Sequence, residues 1–154
     1  MSVSDEERGT WERGYHRLTG KHLDWVESGP EGDGALSVVE VDPQSADRLG
    51  VMPGEGVLSE APMGDYDVFE LSVFARPVAQ IRWCVDGDVG LIGPVIRVGD
   101  SDLADDEVLP VLVEAALDEA WQAGADRVVA LVPAKVVGPY QRAGWQVRAT
   151  IREA

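Results

Sequence analysis

An α+β fold, with a mixed, mostly antiparallel sheet flanked by helices, is predicted by three features of the sequence. Strand-like runs joined by turns occupy residues 68–98, the best helical pattern follows at 105–123, and two further strand runs bracket a short helical turn near the end. The length of 154 residues suits one domain over 1–154, and 45% hydrophobic residues with five Trp supply one core.

The elements follow from local patterns. Ser4 and Glu7 have capping-box spacing, and Trp11, Tyr15 and Leu18 recur at i, i+4 and i+7, which predicts an N-terminal helix weakened by Gly9 and Gly14. The run Ser28-Gly29-Pro30-Glu31-Gly32-Asp33-Gly34 breaks regular structure before a β-branched strand at Ala35 to Val41. Residues 42–66 carry Pro43, Gly50, Pro53, Gly54, Gly56, Pro62 and Gly64 with few apolar positions, so short turns and an irregular connection are expected. That makes 1–66 an irregular N-terminal part and 67–152 the regular core.

Within 67–152, Val68 to Phe74 reads as a strand, Arg76-Pro77 as a turn and Val78 to Val85 as a second strand. Asp86-Gly87-Asp88 carries the signal of a tight type I′ turn into a third strand, Val89 to Val98. The helix from Asp105 to Ala123 aligns Leu109, Leu112, Val113, Ala116 and Ala120 on one face, with Pro110 in or near its first turn and Gly124 as its stop. Arg127 to Val132 is a short buried strand, Tyr140 to Ala143 a helical turn, and Trp145 to Ile151 a last strand.

Composition excludes several function classes. The net charge of −15, from 13 basic and 28 acidic residues, repels nucleic acid and anionic lipid, so neither is expected as a partner. No apolar run approaches a membrane span and the N-terminus is acidic, which points to a cytoplasmic protein. The lone Cys84 rules out an internal disulfide and reads as a core residue. His16 and His22 sit in a polar region with no metal-ligand pattern, and neither a nucleophile elbow around Ser59 or Ser72 nor a phosphate-binding glycine loop is found. The acids Asp100, Asp102, Asp105, Asp106 and Glu107 match no calcium loop; at a helix N-terminus they stabilise the dipole and cap free N–H groups.

Two stretches carry a family resemblance. Arg76-Pro77-Val78-Ala79-Gln80-Ile81 with Asp86-Gly87-Asp88-Val89-Gly90-Leu91-Ile92-Gly93-Pro94 forms one hairpin. Ala115 to Gly124, then Arg127 to Val132, then Tyr140-Gln141-Arg142-Ala143-Gly144-Trp145 forms a helix, a strand and a closing Tyr-x-x-x-Gly-aromatic motif. In this order they resemble the Gcn5-related N-acetyltransferase superfamily over roughly residues 67–152. The resemblance implies acetyl-CoA as cofactor and transfer of an acyl group to an amine of a small molecule or protein. It implies that the main chain of Val95, Ile96, Arg97 and Val98 grips the pantetheine arm, that Tyr140 is the general acid for the departing thiolate, and that Glu70 is the base. A phenol of pKa about 10 suits that acid role.

The sequence departs from the superfamily at its most diagnostic element. An Arg/Gln-x-x-Gly-x-Gly/Ala loop holds the acetyl-CoA diphosphate there, whereas Ala104-Asp105-Asp106-Glu107-Val108-Leu109 stands in its place. Arg97, Lys135 and Arg142 are the cations available for phosphates in the loop's stead, or for pairing with the acidic helix. The same residues support a second reading, a non-catalytic domain of that fold binding a partner or another small ligand. A homodimer is compatible with either.

Overall fold

The computed structural model describes residues 3–25, 34–99 and 101–154; residues 28–33 of the expected breaker run and Asp100 of the acidic cluster lie outside the described residues. Helix α1 (Asp5–Thr19) starts at Ser4, whose hydroxyl accepts the Glu7 N–H at 3.1 Å while the Glu7 carboxylate accepts the Ser4 N–H at 3.3 Å. Its buried face is Trp11, Gly14, Tyr15 and Leu18. Gly14 has a packing reason to be glycine: a Cβ there would stand 2.2 Å from Leu91 Cδ2. Arg148 fastens the helix to the sheet, pairing with Glu7 at 2.8 Å and Glu40 at 2.6 Å while its guanidinium lies 5.6 Å from the Trp11 ring centroid.

The strands are β1 (Leu23–Asp24), β2 (Ala35–Val41), β3 (Gly56–Pro62), β4 (Asp67–Val73), β5 (Arg76–Asp86), β6 (Val89–Ile92), β7 (Ile96–Arg97), β8 (Arg127–Pro133) and β9 (Gln146–Glu153). They form one sheet in the order β1-β9-β2-β8-β6-β5-β4-β3, with β7 on β5. Only β6 and β8 pair in parallel; every other pairing described is antiparallel. Helix α2 (Asp105–Gln122) covers one face over Phe69, Leu71, Ile81, Val128 and Ala130, and α1 covers the other over Cys84, Leu91, Val129 and Leu131. The expected α+β sheet is therefore the architecture found.

Several local expectations are corrected. Residues 56–62 are not irregular: β3 is the edge strand, and its mostly exposed side chains lack the alternation that marks a half-buried strand. The β4–β5 turn is Phe74-Ala75, both at positive φ, whereas Arg76 and Pro77 begin β5 opposite a register shift at Leu71/Ser72. The next turn is Gly87-Asp88, because Asp86 pairs with Val89; positive φ at Gly87 alone is the type II′ pattern, not I′. Strand 89–98 is interrupted at 93–95. Pro110 is the sixth residue of α2, beyond the first turn, so it cannot donate to the Asp106 carbonyl.

Candidate functional site

The interruption in the third strand opens a cleft. β6 and β8 run side by side from Val89↔Arg127 to Ile92↔Ala130 and then part. The chain after β6 turns at Gly93, whose N–H donates to the Arg82 carbonyl at 2.9 Å, and Pro94 has no N–H with which to extend a ladder. It resumes as β7 along β5, while β8 continues along β2 to Pro133. Between the two lies a cavity of about 510 Å³. Pro94, Val95 and Arg97 line its β7 side, and Val132, Pro133 and Lys135 its β8 side. The start of α2 contributes Asp105, Asp106, Val108 and Leu109, and Tyr140 closes it from α3 (Gly138–Arg142).

Tyr140 is the buried polar group of this cleft. It is 2% exposed and meets Trp145 edge-on at 5.4 Å between ring centroids. Its pKa is raised above that of an ordinary phenol by burial alone, and its hydroxyl has no hydrogen-bond partner among the described residues. Such a phenol stays protonated at neutral pH and is free to bond to whatever enters.

The main chain of β7 offers the other polar groups. Val98 uses its N–H on the Val78 carbonyl at 2.8 Å, and the backbone alternation of a strand then turns the N–H and C=O of Arg97 away from β5, toward the gap. Val95 and Arg97 therefore line the cleft; Ile96 packs against β5 opposite Gln80 and is 39% exposed. Charges at the start of α2 are partly neutralised within the chain. Arg97 pairs with Asp105 at 3.2 Å, and the Glu107 carboxylate accepts the Ala104 N–H at 2.7 Å. Lys135 and Asp106 line the cavity and have no ion-pair partner among the described residues.

Of the residues singled out in the sequence, Ile96, Val98, Arg142 and Glu70 do not line the cavity. Arg142 is exposed on α3 and does not line it. Glu70 accepts a hydrogen bond from Gln80 Nε2 at 2.8 Å on the sheet face opposite Tyr140, since its neighbours Phe69 and Leu71 enter the α2-side core. The register Glu70↔Gln80↔Ile96 puts it two strand spacings from β7, roughly 10 Å at about 4.8 Å per strand. The fold does not bring Glu70 and Tyr140 into contact. Pro94, Val132, Pro133 and Pro139 were not singled out, although Gly93-Pro94 and Pro133 are visible in the sequence as breaks at the ends of apolar runs.

His16 and His22 stack at 4.6 Å and His22 Nδ1 lies 3.0 Å from Glu12, all at the surface. Cys84 is buried in the core, where burial pushes its thiol up to about 11. Among the described residues no group of three or more His, Cys, Asp or Glu is arranged to hold a metal, and no helix is long and apolar enough to cross a membrane.

No family model matches the sequence, and no curated protein sequence matches it. Solved structures do match in fold. A GCN5-related N-acetyltransferase from Kribbella flavida superposes with a TM-score of 0.61 at 14% identity, over 77% of this chain and 56% of its own. A GCN5-related N-acetyltransferase from Sphaerobacter thermophilus gives 0.58 at 11% identity, over 77% of this chain and 50% of its own. A functionally unknown conserved protein from Staphylococcus epidermidis gives 0.56 at 10% identity, over 99% of this chain and 67% of its own. The chain thus has the GCN5-related N-acetyltransferase fold, and it spans about half the length of the first two of these proteins.

Proposed function

We propose that this protein is an N-acyltransferase whose cleft holds the acyl-pantetheine arm of a thioester donor of the acetyl-CoA type and passes the acyl group to an amine. The observation that carries the reading is the parting of β6 and β8 into an apolar cleft that ends on the buried, unpartnered phenol of Tyr140. The cavity fits a narrow, mostly uncharged chain: Val95, Val108, Leu109 and Val132 supply apolar contact. The outward N–H and C=O of Arg97 are placed to pair with amides along such an arm, as an unpaired strand edge does. The fit does not extend to a diphosphate, because the start of α2 presents Asp105 and Asp106.

A bound thioester supplies an activated carbonyl carbon. Tyr140, protonated at neutral pH, would donate its proton to the sulfur as the C–S bond breaks, and burial makes it a weaker acid than a free phenol. The attacking amine must lose a proton as the new C–N bond forms. Glu70 lies on the opposite sheet face, two strands from β7, so that proton leaves to water that enters with the amine.

The test is thiol release from acetyl-thioesters with a panel of primary amines, for wild type and Tyr140→Phe. Removing the hydroxyl and keeping the ring should lower kcat by roughly 10²-fold at nearly unchanged KM, the contribution of one positioned acid. Equal kcat values would remove Tyr140 from the mechanism. Absence of both thioester turnover and thioester binding would overturn the acyltransferase assignment.

A further inference from the structure

We infer that the donor taken by this cleft is an acyl thioester of the pantetheine class that carries no diphosphate, and that nucleotide-bearing thioesters are selected against at the start of α2. The inference rests on the acyltransferase reading above and names its donor class.

The start of a helix ordinarily attracts an anion, because its first N–H groups lack intrahelical partners and the helix dipole is positive there. In α2 part of those groups is used by the chain itself. The Ala104 N–H goes to the Glu107 carboxylate at 2.7 Å, and the Glu107 and Val108 N–H groups go to the Ala104 carbonyl at 3.0 and 3.3 Å. The N–H groups of Asp105 and Asp106 remain, and both residues turn this end of the cavity acidic with their own carboxylates. The nearest cation, Arg97, is already paired with Asp105. The cavity lining then holds two carboxylates against Arg97 and Lys135, with no net positive charge to offset two ligand phosphates. A ligand has a hydrogen-bonding group to meet: Tyr140 is 2% exposed, lines the cavity, and has a hydroxyl with no partner among the described residues. A cleft that is apolar along its length, has a hydrogen-bonding phenol in its lining and carries no net positive charge fits an uncharged thioester arm.

Calorimetry on the full chain decides this, with S-acetylpantetheine and acetyl-CoA at low salt and at about 1 M salt, where surface charge is screened to within about 3 Å. S-acetylpantetheine should bind as tightly as acetyl-CoA or more tightly at low salt, and salt should narrow the gap. Asp105→Asn with Asp106→Asn should tighten acetyl-CoA by roughly 10-fold and move S-acetylpantetheine by less than about twofold, since only the former meets the carboxylates. If wild type binds acetyl-CoA about 10-fold more tightly than S-acetylpantetheine, the donor class is wrong and the acyltransferase reading survives. If neither compound binds, the reading of the cleft as a thioester site falls, and this inference with it. The wild-type ratio is decisive even if the double variant does not fold.

Discussion

Replacing Gly9 and Gly14 by alanine, one at a time, makes the same chemical change twice in one helix, with opposite expected signs. A methyl at Gly9 meets only Arg13 Nη1 at 3.3 Å, the end of a flexible and exposed side chain. The helix then gains the propensity difference between Gly and Ala, about 0.8–1 kcal/mol. A methyl at Gly14 meets three carbons of Leu91 at 2.2 to 2.8 Å, and Leu91 is fully buried against the sheet. Ordinary carbon contacts are about 3.5–4.0 Å, so α1 or Leu91 must move by more than about 1 Å. Overpacking of this kind costs about 1–3 kcal/mol, and the severity of the clash points to the upper end, leaving a net loss of about 1–2 kcal/mol after the propensity gain. At roughly 2–4 °C per kcal/mol for a chain of this size, Gly9→Ala should raise Tm by about 2–4 °C and Gly14→Ala lower it by about 2–8 °C. Urea midpoints should move in the same directions, and Leu91→Ala combined with Gly14→Ala should cost less than the sum of the two alone. A Gly14→Ala variant as stable as wild type would refute the seating of α1 on Leu91.

The turn and the carboxylates yield two further predictions. Phe74 and Ala75 fill both central positions of a two-residue turn at φ 51° and 61°, a geometry that favours Asn-Gly, and Phe74 is 74% exposed. Phe74→Asn with Ala75→Gly should therefore stabilise by about 1–2 kcal/mol in urea titration, and an unchanged midpoint would count against the left-handed turn. Glu153 is held below the usual carboxylate range by the Tyr15 hydroxyl and by Lys21, against the effect of its burial. Glu7 is also low: burial works against it, and the Ser4 N–H and Arg148 outweigh that. A depressed carboxylate contributes stability that is present above its unfolded pKa of about 4.5 and lost as pH falls through the folded value. Melting temperature should thus decline below about pH 4.5, and Glu153→Gln should lower it at pH 7 while flattening that decline. An acid limb parallel to wild type would contradict the Tyr15–Glu153 contribution.

What was legible in the sequence was whatever leaves a one-sided pattern. The capping box at Ser4 and the buried run Arg127–Val132 appear where local periodicity put them, and on α2 Leu112, Val113, Ala116 and Ala120 are buried as expected, with Val108, Val111 and Leu117 beside them and Leu109 only half-buried. β3 escaped because a mostly exposed edge strand, with Leu58 alone packed on the core, has no sustained alternation to read. The turns slipped by one or two residues for a similar reason. Phe74-Ala75 is an unfavourable pair at positive φ, fixed by the register of β4 against β5 and not by its own composition. The N-terminal third also contributes more than its loop-rich composition implies, since β2 lies inside the sheet between β8 and β9. That neighbour relation is non-local, and no single-strand pattern encodes it.

The site was legible to a different depth, because a cleft made by two strands parting is a property of pairing. Tyr140 and Arg97 could be picked out one by one, but that they share a cavity with Asp105 depends on β6 leaving β8 after Ile92. Glu70 shows the converse: a carboxylate on a strand of the same sheet, yet on the opposite face and two strands away. The acidic start of α2 has consequences at both levels. Ala104 offers no side-chain cap, so Asp105, Asp106 and Glu107 are what stabilises the helix dipole at that end. Asp105 and Asp106 also line the cavity, so stability of the helix and the charge of the cleft are linked. A helix start made favourable for a diphosphate would have to give up the acids that now hold it.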